Sequence, residues 1–559
     1  MRVKYIELME EVFCAYSNEQ IDSYIQKTKE CGLSEHGFPR LTSNLGILIA
    51  HGKKPELKNR FIEMMDLCCD EIPTALGRNG HGVGNDFSVK EIIFCLLEIE
   101  KANVVGKNLT DRWRECLKNI IPKETYSVIS PVPPVRIGNW AAFGAASEQV
   151  RKYAGIGCDD EFIENQIKSQ LFSFDSNGMY RDPGEPMVYD FVTRLQLAVA
   201  MHFGYRGESC GKLEEQFVKS ADITLMMQSV SGEIPFGGRS NQFLHNETFF
   251  AALCEFYASF FKQKGDKEKA ARFKKAAQLA IDNLILWLKN DKIRHIKNYY
   301  DTNSKYGCES YAYFDKYMIT TGSWLYLAYV FSDDEINDFD DIVKTENYIC
   351  ETSRYFHKVF SRFNDYFIEI ETNADTHYDC SGLGRVHKKG APSSICLSTP
   401  FTKTPDYCLD LENPTNYSVC GGVATQDEVI YGFDNNAEYK LVEKCITENF
   451  TYIKFECKKD NVFMFYQSFV VSDEGVEVLV EGNNELEITF PVFYFDGREY
   501  TQISVNENRV CVKYNNSVCE FSSEGLIKDN KKILANRNGH YKAFCVRGND
   551  KVSLKIKIN

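Results

Sequence analysis

GEIPFGGRSNQFLHNETFFAALCEF, residues 232–256, changes character halfway along. Its first half is a loop in which Gly237 and Gly238 allow backbone conformations closed to other residues, and its second half sets Phe249, Phe250, Leu253 and Phe256 at helical spacing. Arg239, Asn241, Gln242, His245 and Asn246 crowd the first turns of the expected helix, with Asn241 and His245, four apart, expected on one face. Capping by Ser240 or Asn241 beside a satisfied core histidine is the plainer reading. The arginine and two asparagines next to that histidine favour a functional one.

The same passage from ornate loop to apolar helix recurs along the chain. Helices predicted near residues 38, 88, 139, 187, 241 and 308 alternate with second helices near 56, 109, 159, 211 and 266. The first helices follow loops rich in Gly, Pro, aromatic and polar residues: HGFPRLTSN, GRNGHGVGND, PVPPVRIGN, GMYRDPGEPMVYD, GEIPFGGRSNQ and YYDTNSKYGCES. Loops before the second helices, such as GKKPEL and GIGCDDE, are plainer. A period of roughly 50 residues describes stacked helical hairpins. Six hairpins closing on themselves make an (α/α)6 toroid, whose parallel inner helices bring their N-termini and the six loops to one pocket that favours an anion. An open solenoid would spread the loops along a ridge instead.

From about residue 355 the period becomes two, in YIKFEC, VFMFYQSFVV, GVEVLVEG, ITFPVFYF, RVCVKY and VSLKIKI. The expected class is therefore α+β and multidomain: an N-terminal (α/α)6 toroid over residues 1–340 and an antiparallel β-sandwich over 341–559, joined near the acidic SDDEINDFDD. A chain of 559 residues is long enough for three or four domains of roughly 150 residues, or for fewer large ones.

Composition narrows the function. Hydrophobic residues are 43% and charged residues 26%, and no apolar run reaches the roughly 18 residues of a bilayer span, which excludes a membrane-spanning helix and a mainly disordered chain. The net charge of −14 has the wrong sign for generic binding to nucleic acid or anionic lipid, so an anionic ligand needs a local cluster of cations. Twenty scattered cysteines without CxxC spacing read as reduced thiols, and the opening MRVKYIELMEEVFCAYSNEQ lacks the order of a secretory signal; a cytoplasmic location is expected. His81, His202 and His245 show neither HxxxH nor HExxH spacing, and GxSxG and Walker sequences are missing, so neither metal nor cofactor is expected. The Gly-x-Gly pattern around His81 follows no strand and is no dinucleotide fingerprint.

What remains suits sugar-acid chemistry. Arg136, Asn139 and Trp140 place a cation, an amide and a flat aromatic at one helix start. Tyr189 and Arg194 bring a phenol and a guanidinium, His81 sits between glycines, and Tyr311 is a further aromatic candidate among residues expected mostly to pack. β-Elimination at a uronic acid needs the carboxylate beside carbon 5 neutralised before its proton can leave, a task for Asn139 and Arg239, while His or Tyr moves protons. Substrate contacts are expected from Arg136, Trp140, Arg194, Asn241, Asn246 and Tyr311.

At this point the chain resembles the polysaccharide lyases of the toroid class, on the toroid, the β-sandwich and the Asn139-Trp140 pair opening an inner helix. More narrowly, RDPGEPMVYDFVTR and GEIPFGGRSNQFLHNE resemble the L-rhamnose-α-1,4-D-glucuronate lyase group. The resemblance implies Asn139 as neutraliser and His245, Tyr189 or His81 as proton carriers, with base and acid left open, and an acidic oligosaccharide or polysaccharide as partner. Two alternatives stand beside it. An inverting glycoside hydrolase would use two of Asp182, Glu185, Asp190, Glu233, Glu247 and Glu309 about 6.5 to 9.5 Å apart. A glycan-binding protein would hold sugar without turning it over. Oligomeric state is not legible.

Overall fold

The computed structural model describes residues 1–34, 36–74, 85–126, 128–129, 132–336, 346–426 and 428–559. Its helices are α1 (Arg2–Phe13), α2 (Asn18–Cys31), α3 (Gly37–Ala50), α4 (Lys58–Glu71), α5 (Asn85–Ala102), α6 (Lys107–Lys118), α7 (Pro122–Thr125), α8 (Asn139–Tyr153), α9 (Asp160–Gln170), α10 (Met187–His202), α11 (Cys210–Met227), α12 (His245–Gln263), α13 (Lys267–Leu288) and α14 (Phe314–Phe331). Among them α3, α5, α8, α10, α12 and α14 each pack on the next, and α14 returns to α3. These six close a ring. The closing contact joins residues far apart in sequence: Arg40 donates to Thr320 Oγ1 at 2.7 Å and Asn44 Nδ2 to Ser323 Oγ at 3.1 Å.

Position in the ring explains the sequence of each helix. Nearly every residue of α10 and α12 is buried, because an inner helix meets ring neighbours on both sides and an outer helix behind. Outer helices keep a charged face in water; α6 buries only Thr110, Trp113 and Leu117. Asp159 and Asp266 cap α9 and α13 by accepting backbone N–H bonds, which starts each outer helix sharply. α1 and α2 precede the first predicted helix, and α1 packs on α14, filling the outer place that the sequence pattern left empty.

The strands follow: β1 (Tyr348–Glu351), β2 (Lys358–Phe363), β3 (Tyr366–Glu371), β4 (Gly382–Lys388), β5 (Cys420–Ala424), β6 (Val429–Tyr431), β7 (Ala437–Ile446), β8 (Phe450–Lys459), β9 (Val462–Ser472), β10 (Gly475–Phe495), β11 (Gln502–Asn506), β12 (Arg509–Tyr514), β13 (Ser517–Ser522), β14 (Ile527–Asn536) and β15 (Gly539–Ile558). β1 to β4 form one sheet in chain order; the others form a larger sheet around the long β10–β15 pair, and all pairings are antiparallel. The chain is thus α+β, helical first and antiparallel β afterwards. The expected boundary at 340 and 341 lies outside the described residues.

Alternation along β3 shows how the halves join. Tyr366, Ile368 and Ile370 enter the core shared by the two sheets, whereas Phe367 joins the core of the helical ring. Glu369 and Glu371, on the face of Phe367, are fully buried and meet Lys358 at 3.2 and 3.0 Å. Arg385 on β4 pairs with Glu369 at 3.1 Å and donates to the Ile234 carbonyl at 2.7 Å. The small sheet therefore backs the loop before α12.

Candidate active site

A cavity of about 550 Å³ opens at the N-terminal ends of the six inner helices. His36 and Arg40 come from α3 and the residue before it, Phe87 from α5, Asn139, Trp140 and Phe143 from α8, and Val188, Tyr189 and Val192 from α10. Arg239, Ser240 and His245 come from α12 and its leading loop, and Tyr311, Lys316, Tyr317, Thr320 and Trp324 from α14 and its own. A neighbouring cavity of the same size shares Ser34 and Lys316 with it.

Asp182 organises one wall. Its Oδ1 accepts from the Asn139 backbone N–H at 2.9 Å and from Nδ2 at 3.0 Å, and its Oδ2 from Arg239, which also donates to the Pro183 carbonyl at 2.7 Å. Asn139 is the first residue of α8, behind Gly138 at φ 59°. A Cβ on Gly138 would sit 2.5 Å from Asp182 Oδ1, so glycine there is required by both conformation and space. The guanidinium of Arg239 lies 4.4 Å from the centre of the Tyr189 ring. Tyr189 Oη is 3.2 Å from Ser240 Oγ, which is 3.0 Å from Tyr311 Oη. Burial pushes the Tyr189 phenol up, against the opposing pull of Arg239, and leaves it protonated at neutral pH.

His245 opens α12 on the other side. Burial, with Arg40 and His295 nearby, pulls its pKa down to about 3, and the ring stacks on Phe243 at 5.4 Å between centres. Nδ1 has no partner. His36 is likewise held neutral by burial and by surrounding cations. Beneath them Glu91 Oε1 lies 3.5 Å from Arg40 Nε and 3.1 Å from Lys90 Nζ. Burial lowers Arg40 and brings Lys90 down to about 8. Two cations share this one carboxylate, so the floor favours a further negative charge.

Of the expected residues, Asn139, Trp140, Tyr189, Arg239, His245 and Tyr311 line this cavity. Four others do not. Arg194 is fully buried behind the ring wall, with Nε donating to Asp190 Oδ1 at 2.9 Å and Nη1 to Tyr257 at 3.0 Å. Asn241 is buried and donates to the Pro235 carbonyl at 2.9 Å, and Asn246 to the Ser240 carbonyl at 3.2 Å; both brace the loop from within. Arg136 is exposed on a short 3-10 turn. The expected shared face of Asn241 and His245 does not form, because α12 starts only at His245, after Ser240 and Gln242 adopt left-handed φ of 61° and 67°. His81 lies outside the described residues. His36, Arg40, Lys316 and Trp324 were not singled out, although they stand in or beside the ornate loops HGFPRLTSN and YYDTNSKYGCES and their helices.

Five of the six carboxylates suited to a hydrolase are otherwise engaged, and the sixth, Glu185, does not line the cavity. Asp182 holds Asn139 and Arg239, Asp190 holds Arg194, Glu233 and Glu247 meet Lys297 at 3.4 and 2.8 Å, and Glu309 pairs with Arg537 at 2.7 Å. Among the described residues no Asp or Glu lines the cavity, and no group of three or more His, Cys, Asp or Glu is arranged to hold a metal ion.

No protein-family model and no curated protein matches this sequence. Solved structures do match in shape. Heparinase III has a TM-score of 0.50 at 9% identity, over 93% of this chain and 75% of that one, and this likeness is one of fold. The heparan sulfate lyase HepC from Pedobacter heparinus follows at 0.48 and 10%, over 93% and 76%, and a glycosyl hydrolase of family 88 from Bacteroides vulgatus at 0.38 and 11%, over 58% and 99%.

Proposed function

We propose that this protein is a lyase that cleaves a glycosidic bond to a uronic acid by β-elimination. The observation that carries the reading is the meeting of Asn139, Trp140, Tyr189, Arg239 and His245 in one cavity, from three inner helices and a loop. The uronate carboxylate is received by the Asn139 amide, which Asp182 holds in place, and by the excess positive charge around Arg40 and Lys90. The neutral His245 ring takes the proton from carbon 5, and the Tyr189 phenol gives one to the oxygen leaving carbon 4 as the C4–O bond breaks and the C4=C5 bond forms. Trp140 offers a face to the sugar ring. Glucuronate is the preferred acid, with a rhamnose–glucuronate linkage as the narrower proposal, supported by the segments around Tyr189 and His245. The engagement of Asp182, Asp190, Glu233, Glu247 and Glu309 with other groups weighs against an inverting hydrolase.

A screen of uronate-containing oligosaccharides, followed by the ultraviolet absorbance of the unsaturated product, tests this directly. Asn139→Ala, Tyr189→Phe and His245→Ala should each lower kcat by roughly 10² to 10⁴. A new reducing end without absorbance would establish hydrolysis, and binding without product a glycan-binding role.

A further inference from the structure

Ser240 holds the two cavity phenols together from a backbone conformation that a serine rarely adopts, φ 61°. The groups that keep it there come largely from the other half of the chain. Its N–H donates to Glu309 Oε1 at 2.6 Å. That carboxylate is buried, and Arg537, at the turn between β14 and β15, donates to its Oε1 at 2.7 Å and Oε2 at 3.1 Å. Arg537 also donates to the Gly307 carbonyl at 2.8 Å and lies 4.0 Å from the centre of the Tyr407 ring. The next residue, Asn538, donates at 3.1 Å to Oε1 of Gln242, which like Ser240 is a left-handed residue other than glycine, and at 3.1 Å to the Lys297 carbonyl. Asn536 Oδ1 accepts the Asn538 and Gly539 N–H groups, which makes the turn itself rigid.

We propose that Arg537 and Glu309 are positioning residues for the proton donor. The β-domain turn clamps Ser240 so that its hydroxyl bridges Tyr189 and Tyr311 and aims the Tyr189 proton at the leaving oxygen. This rests on the lyase reading for its chemistry, but the clamp can be judged without substrate. A bidentate guanidinium fixes both oxygens of Glu309, which leaves the carboxylate one orientation in which to accept the Ser240 N–H.

Two measurements test it. In Arg537→Gln, amide hydrogen exchange over residues 237–244 should quicken at least about tenfold, with cooperative melting retained. With a glucuronate-containing oligosaccharide, kcat should fall about 10- to 100-fold while KM stays within about threefold, and Arg537→Lys should recover part of the loss. Unchanged exchange over that segment, or wild-type kcat in the folded Arg537→Gln protein, would overturn the proposal. Should Arg537→Gln not fold, Glu309→Gln is held to the same outcomes, since it keeps an acceptor for Ser240 while removing the ionic clamp. A wild type that turns nothing over sinks the lyase reading, and the exchange arm then decides the clamp alone.

Discussion

His245 is a weak base by itself, because burial and Arg40 together disfavour its charged form. A uronate carboxylate entering beside it reverses that balance, since an opposite charge stabilises the imidazolium as it forms. The pH profiles should therefore separate. kcat/KM, which reports the free enzyme, should stay level from about pH 7.5 down to about pH 5, while the acid limb of kcat sits at higher pH than that of kcat/KM. A kcat/KM limb at the ordinary histidine value of 6.5 would mean that the base is an openly solvated ring. Arg194 makes the opposite kind of prediction. Its guanidinium is sealed against Asp190, so Arg194→Ala should cost about 3 to 5 kcal/mol of stability in denaturant unfolding, with KM unchanged in the protein that remains folded. The sequence carried the sign of this. Tyr189 and Arg194 are five apart on α10, about 140° around a helix, so one of them faces the ring axis only if the other turns away.

The inner helices were legible because apolar spacing and Gly-rich punctuation recur together, yet α12 and α14 start at His245 and Phe314, later than the expected 241 and 308. Polar residues that read as a cap in NQFLHN instead build an irregular loop tied to the β-domain, which local propensity does not contain. Gly138 is where loop geometry meets chemistry. Gly138→Ala should lose about 1 to 3 kcal/mol in unfolding experiments and, by displacing Asp182 from Asn139, lower kcat as well. Gly155 has a similar φ of 68° but nothing within 4 Å of a built Cβ. Gly155→Ala should thus show a smaller stability loss and unaltered turnover; equal losses of kcat in both variants would remove the special role of Gly138.

The two halves of the chain share a buried polar seam that neither could keep alone. His387 on β4 hydrogen-bonds Ser229 at 2.6 Å and Ser398 at 2.9 Å, and burial drops its pKa to about 3. An unfolded chain binds that proton near 6.5, so the stability supplied by the neutral ring is full above about pH 6.5 and declines as pH falls toward about 3. His387→Asn should then destabilise the protein more at pH 8 than at pH 5, as read from urea unfolding at both; an equal loss would show that the ring does not titrate in this window. Residue periodicity dictated the helical first part, the strand-rich second part and the six ornate loops, because spacing along one element depends on that element's own geometry. Which side chains of those loops face the axis was settled by ring closure and by the docking of the β-domain. Arg40 and Thr320 meet across hundreds of residues, as do Glu309 and the Arg537 that ties it to Ser240, and such contacts set the rotation of each helix about its own axis, a quantity no local pattern encodes.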